Sequence, residues 1–361
     1  MKWQPDWQQA KQHLIGWWDH KDMVTWVACP SSTPLEVLPD PAKPADLTAC
    51  YTDAQYRLAS QEYHMANTRW GGDAFPIFST MIGPGSLGTF LGAEPVFEPN
   101  TVWYKPCIDD PDNSGPIRFD PSNNKWWDIH LALIREGVAH ADGRYKVGLP
   151  DMIENLDTLA ALRDTEELMF DLVERPAWVQ QRLAEINQAF FDSFDLLFDE
   201  VADEDGGNVF TAFSVWGPGK TAKLQCDISC MFSPAMFDEF VLPHLTNQCD
   251  WLDYSLYHLD GEDALQHLDS LLGIESLNGI EWTSKGAYGG NPESPSGGSP
   301  HWYDLYRRIK AGGKSVQAVQ LRPDEVVPLL DAVGPKGMYI EVRPEDEASL
   351  EKVLRDIEQY R

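Results

Sequence analysis

SPAMFDEFVLPHLTNQCDWLDYSLYHLDG, residues 233–261, joins an amphipathic helix to a short buried strand. Ser233 and Pro234 form a helix start, because serine caps the first turn and proline fits the first helical position. The run Tyr254–His258 is short and rich in aromatic and apolar residues, which is typical of a strand. The stretch therefore predicts a helix–strand unit with a histidine and an aspartate at the strand end.

The same alternation of helix and strand continues in both directions. Seven further runs have strand character, at Asp73–Phe78, Tyr145–Leu149, Asn208–Phe213, Leu224–Ile228, Gly279–Trp282, Ser315–Val319 and Met338–Val342. The clearest predicted helices occupy 51–69, 164–174, 176–200, 233–252, 262–272, 301–312 and 345–360. Eight strands that mostly alternate with helices favour an α/β fold of the (β/α)8 barrel type, and a doubly wound open sheet is the alternative.

The chain is predicted to form one domain with an N-terminal cap. Residues 1–50 are rich in proline and tryptophan, and we expect them to pack as a cap segment on a barrel of residues 51–361. Long loops rich in glycine and proline follow the first and sixth predicted strands, at 83–116 and 284–300. Loops of this length in a compact domain usually carry lids or specificity elements.

The composition limits the partners and the compartment of the protein. The net charge of −29 repels nucleic acid and anionic lipid, which argues against both as partners. No stretch approaches the roughly 18 apolar residues of a membrane-spanning helix, and the N-terminus lacks the pattern of a signal peptide. We therefore expect a cytoplasmic protein whose six cysteines are free thiols.

The segment Ser233–His244 resembles the SPExFxEFxLPxL helix of the superfamily of uroporphyrinogen decarboxylases and corrinoid methyltransferases. The strand ending His258-Leu-Asp260-Gly261 follows at the spacing found in that superfamily. Asp171–Val179 and Gly337–Glu341 are similar to two further fragments of it. The resemblance implies a (β/α)8 barrel with its site at the C-terminal strand ends, and a homodimer.

One branch of the superfamily fits this sequence poorly. Porphyrinogen decarboxylases carry an N-terminal RQAGRY loop whose cations hold the carboxylates of the substrate. The first 68 residues of this chain contain one arginine, Arg57. The sequence therefore argues against a role in haem biosynthesis.

The methyltransferase branch binds zinc through a His-x-Cys strand end and a cysteine near the last strand. Here His258 keeps its position, Asp260 replaces the first cysteine, and the last strand offers Glu341 and Arg343. Oxygen ligands make such a site harder than a thiolate site. The resemblance implies zinc or another divalent ion on His258, Asp260 and Glu341. It also implies methyl transfer with a small methylated substrate or a corrinoid protein as partner.

Four residues at predicted strand ends are the candidate catalytic groups, because strand-end polar residues of this fold face the active site. They are His258, Asp260, Glu281 and Glu341. His258 and Asp260 are either metal ligands or an acid–base pair, and a buried hydrogen-bonded pair without chemistry is the remaining interpretation.

Other residues are predicted to contact the substrate. Trp216 and Trp282 are expected as apolar walls, and Asp151 and Arg343 as polar contacts. Each polar residue has an alternative role. Asp151 can cap a helix and leave Glu154 to enter the pocket, and Arg343 can form a simple ion pair at the barrel rim.

Two cysteines and two other functions stay open. The thiols of Cys226 and Cys230 are either structural or metal-binding. The carboxylate-rich and tryptophan-rich site also fits a metal-independent hydrolase or lyase acting on a carbohydrate-like or aromatic compound. The last alternative is a non-catalytic barrel that binds a ligand or a corrinoid protein.

Overall fold

The computed structural model describes residues 1–285 and 295–361. Its strands are β1 (Val24–Pro30), β2 (Thr68–Gly72), β3 (Ile77–Ser79), β4 (Glu94–Phe97), β5 (Val102–Lys105), β6 (Lys146–Leu149), β7 (Asn208–Phe210), β8 (Val215–Gly217), β9 (Thr221–Gln225), β10 (Tyr254–Asp260), β11 (Gly279–Thr283), β12 (Ser315–Leu321) and β13 (Met338–Val342). The predicted loop 284–300 lies partly outside the described residues.

Helices separate most of these strands. They are α1 (Trp7–Trp18), α2 (Leu47–Thr52), α3 (Ala54–Ala66), α4 (Ser86–Phe90), α5 (Lys125–His140), α6 (Asn155–Arg163), α7 (Thr165–Glu174), α8 (Pro176–Val201), α9 (Pro234–Met236), α10 (Leu242–Trp251), α11 (Leu268–Leu272), α12 (Tyr303–Ala311), α13 (Val326–Val333) and α14 (Glu347–Ile357). Within residues 1–285 and 295–361, no helix is both long enough and apolar enough to cross a bilayer.

A seven-stranded sheet has the order β2-β1-β13-β12-β11-β10-β9, and all its neighbours are parallel except β2 and β1. A second sheet has the order β3-β6-β7-β8, with β8 antiparallel, and β4 and β5 form a hairpin. The predicted α/β class with a parallel sheet is confirmed.

The two larger sheets meet where β7 lies beside β9. The Asn208 side-chain amide donates to the Thr221 carbonyl at 2.9 Å, and the Thr221 N–H donates to Asn208 Oδ1 at 2.8 Å. Across the described part of the chain, the backbone ladders do not join into one closed ring. The closed eight-stranded barrel therefore stays a prediction.

Three predicted strands differ from the observed ones by three or more residues at an end. The run Asn208–Phe213 forms a strand only as far as Phe210, because the chain then turns into a 3-10 segment at Ala212–Ser214. The run Leu224–Ile228 likewise ends at Gln225 and is followed by a 3-10 turn. The run Asp73–Phe78 becomes the shorter β3.

Part of the expected cap segment lies inside the larger sheet. Strand β1 pairs in parallel with β13 and antiparallel with β2. Its residues from Val24 to Cys29 are all buried. The first fifty residues therefore contribute to the sheet as well as to its surroundings.

An aromatic cluster fills the amino-terminal ends of the sheet strands. Its aromatic members at these ends include Trp7, Trp17, Trp18, Phe75, Trp216 and Tyr339. Trp17 and Trp18 belong to α1, and their indole N–H groups donate to backbone carbonyls of β12 and β8. Aromatic rings occupy the amino-terminal ends of the strands, and the polar side chains on the same strand faces lie towards the carboxyl ends.

Candidate active site

Three neighbouring parallel strands place polar residues in one row near their carboxyl ends. His258 of β10 is in register with Gln225 of β9 and with Glu281 of β11. Alternate residues of a strand share a face, so Asp260 lies on the same face as His258. Tyr257 and Leu259 lie on the opposite face and belong to the hydrophobic core.

His258 and Glu281 form a buried pair. His258 Nδ1 is hydrogen-bonded to Glu281 Oε2, and the Thr283 hydroxyl donates to Glu281 Oε1 at 2.7 Å. Glu281 is fully buried. Because Nδ1 is occupied by this bond, Nε2 is the ring nitrogen left for a ligand. A carboxylate that orients a histidine in this way is common behind metal sites.

Asp227 completes a group of three donors. The ligand atoms of Asp227, His258 and Asp260 all lie within 4.8 Å of one another. Asp227 Oδ1 is buried and has no hydrogen-bond partner among the residues that the structure describes. One imidazole nitrogen and two carboxylates form a donor set that suits zinc or a harder divalent ion. This chemistry and the unpartnered oxygen fit a cation.

The turn that carries Asp227 is fixed by α6. The Asp157 carboxylate accepts hydrogen bonds from the backbone N–H groups of Asp227 at 2.7 Å and Ile228 at 3.1 Å. The Gln225 amide also donates to Asp227 Oδ2 at 2.7 Å. These contacts hold the chain in its 3-10 turn and direct the Asp227 carboxylate towards His258.

A buried lysine lies on the other side of this row. Lys223 is 1% exposed, and its Nζ lies 2.7 Å from Asp151 Oδ1 and donates to Gln225 Oε1. The Gln225 N–H donates to Glu154 Oε1 at 2.8 Å. The neighbouring Ile153 has a positive φ of 38°, which is strained for a β-branched residue. The strained loop thus brings Asp151 and Glu154 into the site.

Burial and nearby charged groups shift the pKa values of the residues in this site. Burial raises the pKa of Glu154 to about 8. Burial, reinforced by neighbouring carboxylates, raises the pKa values of Asp227 and Glu281 well above the ordinary range. Burial, together with Lys223, lowers the pKa of His258 to about 4. His258 is therefore neutral at pH 7, as a metal-binding imidazole must be.

Glu341 lies beside this group and is engaged elsewhere. Its Oε1 accepts a hydrogen bond from Arg343 Nε at 2.7 Å. Glu281 is in register with Gln317 and Gln317 with Tyr339, and Glu341 alternates with Tyr339 along β13, so Glu341 lies on the same face of the sheet as Glu281. The three grouped donors include Asp227 and not Glu341, so the structure departs from the ligand set expected from the sequence.

Arg343 lies at the rim, away from the three donors. Its guanidinium stacks over the Trp26 ring at 4.6 Å, and it lines a cavity of about 420 Å³ at the ends of β1 and β2. The ion pair with Glu341 that the sequence left as an alternative is present.

The two tryptophans expected as walls face other parts of the protein. Trp216 is fully buried in the aromatic cluster at the opposite strand ends, where its indole N–H donates to Asp203 at 2.9 Å. Trp282 alternates with Glu281 along β11 and packs against Trp302 with ring centres 4.8 Å apart. Their side chains are therefore core residues, and the expectation of apolar site walls is corrected.

Cys226 and Cys230 also lie outside the donor group. Cys226 is buried in the hydrophobic core, and burial raises its pKa well above that of a free thiol. Cys230 is exposed, and all six cysteines are free. The structural interpretation of these thiols fits this arrangement better than metal binding does.

Sequence reasoning missed Lys223, Gln225, Asp227 and Phe213. Lys223 and Gln225 alternate along β9, and this alternation would have placed them on one face, whereas Asp227 lies in the turn beyond the strand end. Phe213 gave no such signal, although its ring lies 4.7 Å from the His258 ring. Its contact depends on a turn with a left-handed backbone that no local pattern indicates.

The fold and the strand-end site together define an α/β protein with a polar centre at the carboxyl ends of parallel strands. A solved structure of a methyltransferase from Methanosarcina mazei is similar, with a TM-score of 0.64 and 10% sequence identity. The match covers 97% of this chain and 98% of that chain, so the fold is shared over nearly the whole length. Neither a protein-family model nor a curated protein matches the chain.

Proposed function

We propose that the protein is a divalent-cation-dependent methyltransferase whose metal lies on His258, Asp260 and Asp227. The observation that carries the proposal is the grouping of these donors within 4.8 Å, with a buried glutamate bonded to the far nitrogen of the histidine. Zinc fits the donor set, and other divalent ions that accept oxygen ligands fit it as well.

The fold shared with the methyltransferase from Methanosarcina mazei supports methyl transfer as the reaction class. In this proposal the chain closes as a (β/α)8 barrel, acts in the cytoplasm as a homodimer, and takes its methyl group from a small methylated substrate or a corrinoid partner. A bound cation supplies Lewis acidity, which lowers the pKa of a coordinated acceptor.

The protein's own residues prepare the site for that cation. Glu281, held by the Thr283 hydroxyl, fixes the His258 ring so that Nε2 faces the carboxylates. Phe213 packs on the imidazole and shields it from water. Lys223, paired with Asp151, places a positive charge beside the row of polar residues at the strand ends. A nearby positive charge favours the ionised form of the neighbouring carboxyl groups.

Metal analysis of purified variants tests the proposal. We expect about one divalent ion per chain, and we expect His258→Ala and Asp227→Asn to lose it. Glu341→Gln is the matched control, because its carboxylate is paired with Arg343 and should leave the metal content unchanged. Folded, metal-free wild-type protein, or loss of metal only in Glu341→Gln, would contradict the proposed ligand set.

The reaction itself is followed by the absorbance of methylcobalamin mixed with 2-mercaptoethanol. The wild-type protein should speed demethylation, and Asp227→Asn should slow it at least tenfold. An unchanged rate in Asp227→Asn would argue against metal-assisted methyl transfer.

The second candidate is a metal-independent acid–base enzyme, and the raised pKa of Glu154 favours it. A carboxyl group with a pKa of about 8 is protonated at neutral pH and can donate a proton to a leaving group. Hydrolase or lyase activity that persists in chelator-treated, metal-free protein and is lost in Glu154→Gln would establish this alternative.

A further inference from the structure

A cavity of about 490 Å³ opens beside the donor group. It lies between the β4–β5 hairpin, the start of α6 and the turn after β9. Asp227, one of the three grouped donors, belongs to its lining together with Asp157, so the cavity adjoins the proposed metal site. Its volume is in the range of small-molecule sites.

The described lining of this cavity is acidic and carries no positive side chain. It includes Asp157, Asp164 and Asp227, of which Asp157 is bonded through its carboxylate to the turn after β9, whereas lysine, arginine and histidine are missing from it. The sequence of residues 286–294 contains neither lysine nor arginine, so this segment adds no positive charge. An anionic ligand would meet repulsion here without a partner for its charge.

Two aromatic residues of β5 supply the other contacts. Trp103 is 62% exposed and lines the cavity, which leaves ring surface free for a ligand. The Tyr104 hydroxyl is buried and has no hydrogen-bond partner within the described residues. An aromatic ring beside carboxylates is the arrangement that recognises quaternary and alkylated ammonium groups.

We infer that this cavity binds a small organic cation, an alkylated ammonium compound, and that such compounds are the substrate class of the site. That these compounds are substrates of the site, and not only ligands, rests on the proposed function. A divalent cation on Asp227 leaves the exposed Asp164, at the cap of α7, to face the ligand, so the two positive charges have separate partners.

Three molecules of nearly equal shape and different charge provide the test. Choline carries a positive charge, 3,3-dimethyl-1-butanol is its neutral isostere, and 3,3-dimethylbutanoate is its anionic counterpart. Isothermal titration calorimetry on the full chain should show choline binding at least tenfold more tightly than the alcohol. The anion should show no binding.

Two variants locate the binding, each with a matched control. Trp103→Ala should weaken choline binding about 2- to 30-fold, the range of a cation–π contact, and Phe170→Ala removes an exposed aromatic outside the cavity. Asp164→Asn removes a charge and keeps a good helix cap, and Asp346→Asn makes the same change at the cap of α14. Only the two cavity variants should lose affinity.

Equal or tighter binding of the anion, or choline affinity unchanged in both cavity variants, would overturn the inference. Metal content measured on the same preparations separates the two proposals. Selective choline binding by a wild-type protein without metal contradicts the metal site and supports the cationic ligand. A protein that holds its metal through His258 and prefers the anion overturns the ligand class alone.

Discussion

Glu154 is buried so deeply that it holds its proton at neutral pH. Its pKa is raised to about 8 in the folded chain, so between pH 4.5 and 8 the folded state binds more protons than the unfolded state. Stability contributed by this group is therefore present at low pH and is lost as the pH rises through 8.

Glu154→Gln removes this dependence and keeps an acceptor for the Gln225 N–H. Relative to wild type, the variant should gain about 2 kcal/mol of stability between pH 6 and pH 8. Urea unfolding at pH 6, 7 and 8 measures the difference, with the exposed Glu98→Gln as control. Parallel stability curves for wild type and Glu154→Gln would show that the carboxyl is not protonated in the folded chain.

The donor residues also predict that metal binding releases protons. Burial and neighbouring carboxylates raise the pKa values of Asp227 and Glu281, whereas coordination requires an ionised Asp227 and a proton on His258 Nδ1. The apparent affinity for zinc should therefore fall as the pH is lowered from 8 to 6.

Calorimetric titration of zinc in buffers with different ionisation enthalpies counts these protons. We expect a release of about one proton or more per metal at pH 7. Glu341→Gln should release the same number, because its carboxylate is outside the donor group. A binding heat that is independent of the buffer would mean that the ligands are already deprotonated.

At the scale of elements, the short turn Ala212–Ser214 controls the surroundings of His258. Phe213 and Ser214 have φ values of 64° and 53°, a left-handed backbone that is unfavourable for these residues. The Gln317 amide donates to the Phe213 carbonyl at 2.7 Å, and the Tyr339 hydroxyl donates to the Ser214 carbonyl at 3.0 Å. Strands β12 and β13 therefore hold the turn that places Phe213 on His258.

Phe213→Ala should raise the pKa of His258 from about 4 towards 6.5, because water then reaches a ring whose burial depresses it. Titration of the imidazole signals by NMR measures the change. His267 is the internal reference, since it packs against Phe237 in another part of the protein. A folded variant in which the pKa of His258 stays near 4 would assign the shift to other groups.

The sequence predicted the His258–Glu281 neighbourhood because parallel strands bring their carboxyl ends to one edge. It missed Asp227 because the predicted strand Leu224–Ile228 stops at Gln225, and hydrogen bonds from a distant helix bend the chain there. Strand ends depend on such long-range contacts, which apolar patterning does not contain.

The same limit explains the two misassigned tryptophans. Strand β11 is buried on both faces, so its pattern does not show whether Glu281 or Trp282 points to the site. Trp216 follows the left-handed turn at Ala212–Ser214, which reverses the chain into β8. The side of the sheet on which Trp216 lies is therefore set by that reversal, and not by the pattern of the preceding predicted strand, Asn208–Phe213.

At the scale of the whole molecule, the two sheets form one framework only if β7 and β9 stay together. The helices and strands were predictable from apolar patterning. The contact between β7 and β9 was not, because side-chain hydrogen bonds join these two strands in place of backbone pairing. Asn208 is 1% exposed and bonds to both backbone groups of Thr221. This contact also determines where β9 presents Lys223 and Gln225 to the site.

Asn208→Ala should destabilise the protein by about 2 to 4 kcal/mol, because it leaves a buried N–H and a buried carbonyl without partners. Urea unfolding measures this loss, and Asn67→Ala is the control, since Asn67 donates to a carbonyl of its own helix, at Tyr63. If the contact between β7 and β9 also positions β9, zinc affinity should fall in Asn208→Ala and stay unchanged in Asn67→Ala. A loss of stability below 1 kcal/mol would mean that water or shifted backbone replaces the amide, and that the sheets are joined by their hydrophobic core.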